Sequence, residues 1–570
     1  MLLRHVERCY LLILRRRYLA GTFERLAAFP ETNIAFPSDM ASDTGSLPRK
    51  RIIVCCDGTW MDSDGELQVP SNVTNICRAI RYEGTNKLTR KAIPQVVYYQ
   101  SGIGSTADSL YGKYIGGVTG KGISEHIRES YGFICHNYSP GDEIFLIGFS
   151  RGAFTARSVA SLIRTVGLLT TIGMSYFYQI FQDWEFQLKE GWTTAYPNEP
   201  WPHRPPINAP EYRRKLLELE LTRPDIPIKA VAVWDTVGAL GIPSIALFPH
   251  APSTDYAFVD SKVDPNIEYA FQALALDEHR RAYRPTIWEK PDGQEWPRVL
   301  KQVWFPGVHG DIGGGHHNAD LANLTLAWMI SQLDELIDFD YGYVVRLNRL
   351  NMESHKQTGK PAREWGTGKI HDSMTLFFRL GGSKTRTPGE YCETGRKHGS
   401  RSEGLQMARR KLVNTGERIH SSVRIRMGRQ GLGYNDKGTY DSEALQGWTM
   451  KATEEVAPPT PVDIHSPGAV LKGRISDVRW VKTIPGDKET PELILPEDEL
   501  GSLERTVLES WPELYEEFDT IMPGSHATSM RRSSTFPSDH PHSNGVAAQV
   551  GMPKVDVSAV NRKPHRESTI

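Results

Sequence analysis

The chain has 570 residues, 39% apolar and 24% charged, which is enough for about two to four domains with substantial cores. Lys plus Arg (67) nearly balances Asp plus Glu (68), which argues against a surface specialised for nucleic acid or another polyanion. Six cysteines without CxxC or zinc-like spacing exclude a disulfide scaffold and favour a reducing compartment, and no apolar run is long enough to cross a membrane.

We interpret residues 1–48 as a poorly structured N-terminal extension. Residues 1–29 carry six arginines around a four-residue apolar stretch at 11–14, which is too short for a secretory signal. Met40 begins a polar segment, Met-Ala-Ser-Asp-Thr-Gly-Ser, that is typical of a natural start. We therefore expect a cytoplasmic protein, with mitochondrial import as the alternative if residues 1–29 act as a presequence.

From residue 51 onward, short apolar runs alternate with amphipathic stretches. Repeated strand–helix alternation predicts a mainly parallel sheet with helices on both faces, a three-layer α/β core that spans residues 49–349. The predicted strands are 51–56, 95–99, 143–148, 228–234 and 300–305, and the predicted helices are 71–82, 123–136, 152–168, 266–279 and 318–336.

An insertion at about residues 172–225 interrupts this alternation. It begins with an aromatic-rich stretch and continues into a proline-rich loop. Two interpretations stay open: a lid over a pocket, or a helical excursion that packs on the core. The aromatic residues are Tyr176, Phe177, Tyr178, Phe181, Trp184 and Phe186.

Residues 350–522 lack the strand–helix alternation and form a predicted α+β C-terminal region of unknown role. Its β-like pieces lie at 421–427 and 478–481. Residues 523–570 are dominated by Ser, Pro, His, Gly and basic residues, a composition that predicts a disordered tail.

The predicted strand 143–148 runs into the pattern G-x-S-x-G, formed by Gly148, Ser150 and Gly152. In a nucleophile elbow the serine sits on a sharp turn from strand to helix, and the glycines allow the backbone to pack closely there. The backbone N–H of Arg151 and the helix dipole would then face a developing oxyanion. The alternative interpretation is a serine that only caps the helix.

A serine nucleophile needs a base and an acid that orients the base. Asp235 directly follows the predicted strand 228–234, and His309 follows the predicted strand 300–305. The carboxyl ends of parallel strands meet at one edge of a sheet, and the order Ser, Asp, His is that of α/β hydrolases. The sequence therefore predicts a triad of Ser150, Asp235 and His309.

Other residues compete for these two roles. Asp277, at the end of the predicted helix 266–279, and Asp311 are rival acids, and Asp235 itself could cap a turn. His316 and His317 are rival bases, although they lie beyond a run of glycines and further from the strand end.

The first predicted strand ends in Cys-Cys-Asp-Gly-Thr at residues 55–59. A turn there could bring the backbone N–H of Gly58 or Thr59 opposite Arg151 and complete an oxyanion hole. The alternative is a tight turn without a catalytic role.

Four motifs occur in order: Cys-Asp-Gly-Thr, Gly-Phe-Ser-Arg-Gly-Ala-Phe-Thr-Ala-Arg, Val-Trp-Asp-Thr-Val and Pro-Gly-Val-His-Gly-Asp-Ile-Gly-Gly-Gly. Over about residues 49–335 the chain resembles the α/β-hydrolase family of the type VI secretion phospholipase effectors, and it is similar to the fungal-type members. The resemblance implies a serine hydrolase with its triad at Ser150, Asp235 and His309. It does not carry a lipid substrate across, since only some members are phospholipases.

The main hypothesis is therefore a serine hydrolase that cleaves carboxylic esters, with acyl esters of lipids or phospholipids as the finer expectation. It requires no metal or organic cofactor, and its expected partners are an ester or lipid substrate and a membrane surface contacted peripherally. One alternative is a metal-dependent hydrolase that uses Asp57, Asp235, His309 and Asp311 to hold Mg²⁺ or Mn²⁺. Another is a catalytically silent scaffold for the C-terminal region.

Overall fold

The computed structural model describes the chain in segments, all of which belong to one compact unit. The predicted N-terminal extension and the predicted tail lie outside the described residues. The described residues are 49–59, 61, 69–87, 89–102, 120–189, 191–238, 261–357, 359, 363–374, 379, 382–393, 410–455, 474–484 and 492–522.

The strands form one large sheet and one short antiparallel pair. In chain order they are β1 Arg51–Cys56, β2 Glu83–Thr85, β3 Ala92–Gln100, β4 Glu143–Phe149, β5 Leu168–Leu169, β6 Thr222–Arg223, β7 Ile228–Trp234, β8 Ile267–Ala275, β9 Val299–Phe305, β10 Glu417–His420, β11 Trp448–Glu455, β12 Arg474–Thr483 and β13 Glu492–Asp498. The short pair is β5 with β6.

The helices lie mostly between the strands. They are α1 Asn72–Ala79, α2 Gly120–Asn137, α3 Arg151–Val166, α4 Thr171–Met174, α5 Phe177–Glu185, α6 Pro210–Glu218, α7 His309–Gly313, α8 Asp320–Leu333, α9 Tyr341–Gln357, α10 Ser421–Gly428, α11 Ser502–Leu508 and α12 Pro512–Glu517. Within the described part of the chain, no helix has the length and apolar character needed to cross a bilayer.

The large sheet has eleven strands in the order β11-β12-β13-β10-β9-β8-β7-β4-β1-β3-β2. Every pair from β13 to β3 along this order is parallel, whereas β2, β11 and β12 pair antiparallel. The mainly parallel sheet predicted from the alternation is therefore confirmed. Strands that the C-terminal region contributes, β10 to β13, continue the same sheet rather than forming a sheet of their own.

Both faces of the central strands β1, β4 and β7 are buried, as their continuous apolar runs predict. On β1, Ile52 and Val54 pack with α2 and α3 on one face, and Ile53 and Cys55 pack with α1 and α8 on the other. This alternation follows from the two-residue period of a strand. The core is thus a three-layer α/β structure of the α/β-hydrolase-like kind.

The order of the strands fixes where a ligand can bind. From β1 the chain crosses first to β3 on one side and later to β4 on the other. A crevice forms outside the carboxyl ends of parallel strands at such a switch point. The loops after β1, β4, β7 and β9 all begin at this edge, because these strands are parallel.

Two elements differ from the prediction. The predicted helix 266–279 is the strand β8, which pairs with β7 and β9 along its length. Its run of Ala and Leu favours a helix locally, but pairing on both sides overrides that preference. The β-like piece 421–427 is the helix α10, whose first turn is capped by the His420 side chain accepting from the Ser422 N–H.

The aromatic stretch of the insertion packs on the core. Phe181 and Trp184 on α5 are fully buried in the cluster that contains α2 and α3, and the Phe177 ring stacks on Tyr131 with centroids 5.0 Å apart. Tyr178 faces outward, with 47% of its surface exposed. The packed interpretation therefore accounts for these rings better than the lid does.

Trp184→Ala should lower the free energy of unfolding by about 3–5 kcal/mol, because it removes a large buried side chain and leaves a cavity. Tyr178→Ala, the matched control on the same helix, should change it by less than about 1 kcal/mol. Urea unfolding of both variants measures the difference. Equal destabilisation would contradict the buried position of Trp184.

Candidate active site

Ser150 occupies the single residue between β4 and α3, with φ +57° and ψ −119°. Such a backbone is strained for any residue with a Cβ, and the surrounding structure must hold it. The flanking glycines are required: a Cβ on Gly152 would collide with the Cys56 carbonyl oxygen, and one on Gly148 would lie 2.6 Å from the Gly152 oxygen. The turn therefore has the geometry of a nucleophile elbow.

Three side chains predicted from different segments meet at this turn. The hydroxyl of Ser150 lies 2.8 Å from Nε2 of His309, and Nδ1 of His309 lies 2.6 Å from Oδ2 of Asp235. When Nδ1 carries the proton and donates to the carboxylate, Nε2 is left to accept from the serine hydroxyl. All three side chains are buried.

The imidazole of His309 is fixed by two aromatic rings. Phe149 lies against it with centroids 4.7 Å apart, and Tyr283 meets it edge-on at 4.8 Å. Burial lowers the pKa of His309, while the neighbouring Asp235 opposes that shift. The ring is therefore neutral near pH 7, which is the form that can accept a proton.

Arg386 clamps the far side of the Asp235 carboxylate. Its Nη1 donates to Oδ1 at 2.7 Å and its Nη2 to Oδ2 at 3.0 Å, and the Ala275 N–H also donates to Oδ1 at 3.2 Å. Burial alone would raise the pKa of Asp235, but the charge of Arg386 and the hydrogen bond with His309 outweigh it and hold that pKa well below its usual range. Asp235 is therefore an anion at every physiological pH.

Arg386 was not predicted as a site residue from the sequence. It lies in the segment 382–393, outside the α/β alternation, and its other contact is a 2.7 Å hydrogen bond from Nη2 to the Tyr283 carbonyl oxygen. It follows a Gly-Gly-Ser-Lys-Thr run without helical or strand periodicity. No local pattern could have marked it.

Glu278 was also missed. Its Oε2 accepts the backbone N–H of His309 at 3.2 Å, and both its oxygens accept from Arg280 at 2.9 Å. This carboxylate is buried and anchors the start of α7. It therefore positions the backbone of His309 rather than its ring.

The rival acids and bases have other partners. Asp277 follows β8 and accepts from the Gly307 N–H at 2.7 Å and the Ser442 hydroxyl at 2.7 Å. Asp311 accepts from the Val308 N–H at 3.0 Å and pairs with His371 Nδ1 at 2.5 Å. His316 stacks on His371, and His317 is exposed.

The turn after β1 is built around Asp57. Its carboxylate accepts four hydrogen bonds: from the Gly58 N–H at 2.7 Å, the Ser71 hydroxyl at 2.6 Å, the Tyr99 hydroxyl at 2.7 Å and the Thr74 hydroxyl at 3.2 Å. The predicted donor Gly58 thus already donates to Asp57. The neighbouring Thr59 hydroxyl is buried and makes no hydrogen bond with the described residues.

The four residues of the metal alternative do not form one open ligand set. Asp57 is saturated by donors, and Asp235 is shared by Arg386 and His309. Asp311 instead groups with His316 and His371, with one ligand atom from each within 4.8 Å of the others. The two imidazole planes lie 18° apart at a 4.0 Å centroid distance, so their in-plane lone pairs converge on one ion only if a ring rotates.

Asp57 predicts a measurable pH dependence of stability. Burial raises its pKa to about 6, against the four hydrogen bonds that favour the charged form. Since an unfolded aspartate titrates near about pH 4, the folded state holds a proton between about pH 4 and 6 that the unfolded chain has released. This group should therefore lower the free energy of unfolding by about 3 kcal/mol as the pH rises through that window.

Asp57→Asn should remove this contribution, so the difference in stability between variant and wild type should change across the same window. Urea unfolding at a series of pH values measures it, and Asp225→Asn, which alters an exposed carboxylate, is the control. Parallel profiles for wild type and Asp57→Asn would rule out Asp57 as the titrating group.

Comparison with known proteins adds to this geometry. An uncharacterized protein of Saccharomyces cerevisiae, YEL023C, is 27% identical over 251 residues, which are 41% of this chain and 32% of that protein. The chain thus spans about a third of the length of that relative. An uncharacterized protein from Pseudomonas aeruginosa of known structure is 16% identical, with 52% of this chain and 47% of that chain covered, but its TM-score of 0.26 is too low to bear on fold or function.

The family described as the type VI secretion (T6SS) phospholipase effector Tle1-like catalytic domain matches residues 50–332. The matched segment begins just before β1 and ends within α8, so it contains Ser150, Asp235 and His309 but not Arg386. Residues 50–332 of this chain therefore belong to the Tle1-like phospholipase effector catalytic domain family.

Proposed function

We propose that this chain is a serine hydrolase that cleaves carboxylic esters, with Ser150 as nucleophile, His309 as general base and acid, and Asp235 as the residue that orients His309. The family indicates a hydrolase of the lipase or phospholipase type, and hence a lipid substrate. The observation that carries the proposal is the chain of hydrogen bonds from Ser150 through His309 to Asp235.

The reaction follows from this chain of contacts. The Ser150 oxygen attacks the ester carbonyl carbon while its proton passes to Nε2 of His309. The imidazolium is stabilised by the Asp235 anion, and it then gives the proton to the leaving alkoxide as the carbon–oxygen bond breaks. In the second half of the reaction a water molecule gives a proton to Nε2 of His309 and its oxygen attacks the acyl carbon. The imidazolium then gives this proton to the Ser150 oxygen as the bond between that oxygen and the acyl carbon breaks, which releases the acid.

The developing oxyanion needs donors on the other side of the carbonyl. The first donor of the proposal is the backbone N–H of Arg151, which begins α3, because the helix dipole favours negative charge at a helix N-terminus. The second proposed donor is Thr59, on the turn after β1. Its buried hydroxyl makes no hydrogen bond with the described residues. Gly58 then acts indirectly, by holding that turn through its bond to Asp57.

A fluorophosphonate probe tests the nucleophile, because it labels only an activated serine. Wild type should be labelled and hydrolyse soluble p-nitrophenyl esters, with or without a chelator, and Ser150→Ala should lose both properties by at least about 10³-fold. Ser158→Ala, a buried serine two turns along α3, is the matched control and should retain them. Absence of labelling in folded wild type, or undiminished labelling of Ser150→Ala, would overturn the proposal.

Arg386→Met should lower kcat by about 10²-fold and leave KM nearly unchanged, because Arg386 holds Asp235 and does not touch the substrate. Arg386→Lys, which keeps the charge but loses the paired geometry, should recover part of the rate. Steady-state kinetics on a soluble ester measures both variants, with circular dichroism as the check on folding. A rise in KM at constant kcat would contradict a role through Asp235.

A further inference from the structure

Three side chains of metal-binding type lie together beside α7, the helix that begins at His309. They are Asp311 on α7, His316 in the loop after it and His371 in the segment 363–374, and one ligand atom from each lies within 4.8 Å of the other two. His371 is outside the segment 50–332 that matches the family. The fold therefore assembles this group from two parts of the chain.

The Asp311 carboxylate already joins α7 to the segment 363–374. Its Oδ2 accepts the backbone N–H groups of Val308 at 3.0 Å and His371 at 3.1 Å, and its Oδ1 lies 2.5 Å from Nδ1 of His371. The two backbone bonds hold the carboxylate in place through Oδ2. Oδ1 can therefore exchange its imidazole partner for an ion without releasing the start of α7.

The imidazole of His316 is the ligand that is free to rotate. Its nitrogens form no hydrogen bond with any of the described residues, and the ring is only partly buried. The ring stacks on His371, and its Nε2 lies against Gly310, where a Cβ would be only 2.5 Å from that nitrogen. A rotation of this ring therefore costs no hydrogen bond, and it is the movement that the two stacked imidazoles need before both can bind one ion.

The charge and protonation of the group suit a cation. Burial and the neighbouring His371 lower the pKa of His316, although Asp311 opposes that shift. Arg280 and Lys369 act from nearby in the same direction as burial. The ring is therefore neutral near pH 7, which is the form that binds a metal, and Asp311 supplies the negative charge.

We propose that Asp311, His316 and His371 bind a divalent transition-metal ion such as Zn²⁺, with water in the remaining coordination positions. Two imidazoles and one carboxylate suit Zn²⁺, whereas Mg²⁺ and Ca²⁺ prefer oxygen ligands alone. The ion ties α7 and the loop after it to the segment 363–374, and so stabilises the helix that begins at His309. This inference does not rest on the proposed ester hydrolysis, which needs no metal.

Zn²⁺ binding to the full chain, stripped of metal with a chelator, tests the site by titration calorimetry and by the melting temperature. Wild type should bind Zn²⁺ and melt at a higher temperature with it, because an ion that binds only the folded chain stabilises that state. His316→Gln and His371→Gln should each weaken binding by about 100-fold or more, since loss of an outer hydrogen-bond partner alone typically costs roughly 10–100-fold. His317→Gln, which alters the exposed neighbour, is the matched control and should bind as wild type does.

Folding of the variants is checked in the absence of metal. Since the His316 ring has no hydrogen bond to lose among the described residues, His316→Gln should keep the melting temperature of metal-free wild type. Its loss of Zn²⁺ binding then reports on the ligand and not on unfolding.

Three results would overturn the site. Wild-type affinity in either histidine variant would place the ion elsewhere, for instance at one of the free cysteines. Absence of Zn²⁺ binding by wild type would remove the site altogether, and displacement of Zn²⁺ by an equal concentration of Mg²⁺ would be inconsistent with imidazole ligands. None of these results affects the labelling of Ser150, so the metal site and the serine hydrolase are judged separately.

Discussion

The rest of the site depends on the buried Asp235 carboxylate, which lies between the imidazole of His309 and the guanidinium of Arg386. A carboxylate removed from water is costly unless it is paired and hydrogen-bonded. Here Arg386 makes two bonds to it and His309 one, so each oxygen is occupied. Because Nδ1 of His309 is bound to Asp235, only Nε2 of the ring remains for Ser150, and it lies 2.8 Å from the serine hydroxyl.

The parallel sheet explains why these residues meet although they are far apart in the chain. Ser150 follows β4, Asp235 follows β7 and the loop to His309 follows β9, and these strands end at one edge. The turn after β1 lies next to the elbow, where Gly152 leaves room for the Cys56 carbonyl. The buried strands thus fix the positions of the polar residues that follow them and form the candidate site.

Much of this arrangement could be predicted from sequence because it depends on local signals. The strands β1 and β7 match their predicted bounds, and G-x-S-x-G marks a turn whose glycines have a steric reason. β8 was predicted as a helix because its Ala and Leu residues favour a helix locally. Its own sequence does not show that it pairs with β7 and β9, and this pairing overrides the local preference. That error also misplaced Asp277, which follows a strand and bonds to Gly307 and Ser442.

Arg386 shows where such reasoning ends. Its partner Asp235 lies 151 positions away, and nothing in the run around Arg386 has a period or a motif. Only the folded chain brings a buried guanidinium to a buried carboxylate. The turn after β1 is a similar case, because the Asp57 carboxylate that accepts from Gly58 also accepts from side chains of α1 and β3.

The continuation of the sheet past β9 has a consequence for how the catalytic domain can be handled. A fragment that stopped where the family match stops would expose the edge of β9, which β10 covers in the whole chain. Such a fragment would also lack Arg386, so the buried Asp235 carboxylate would lose its paired guanidinium. The folded unit is thus larger than the segment that matches the family. Truncation or recombination at residue 332 would divide one sheet and its core rather than separate two domains.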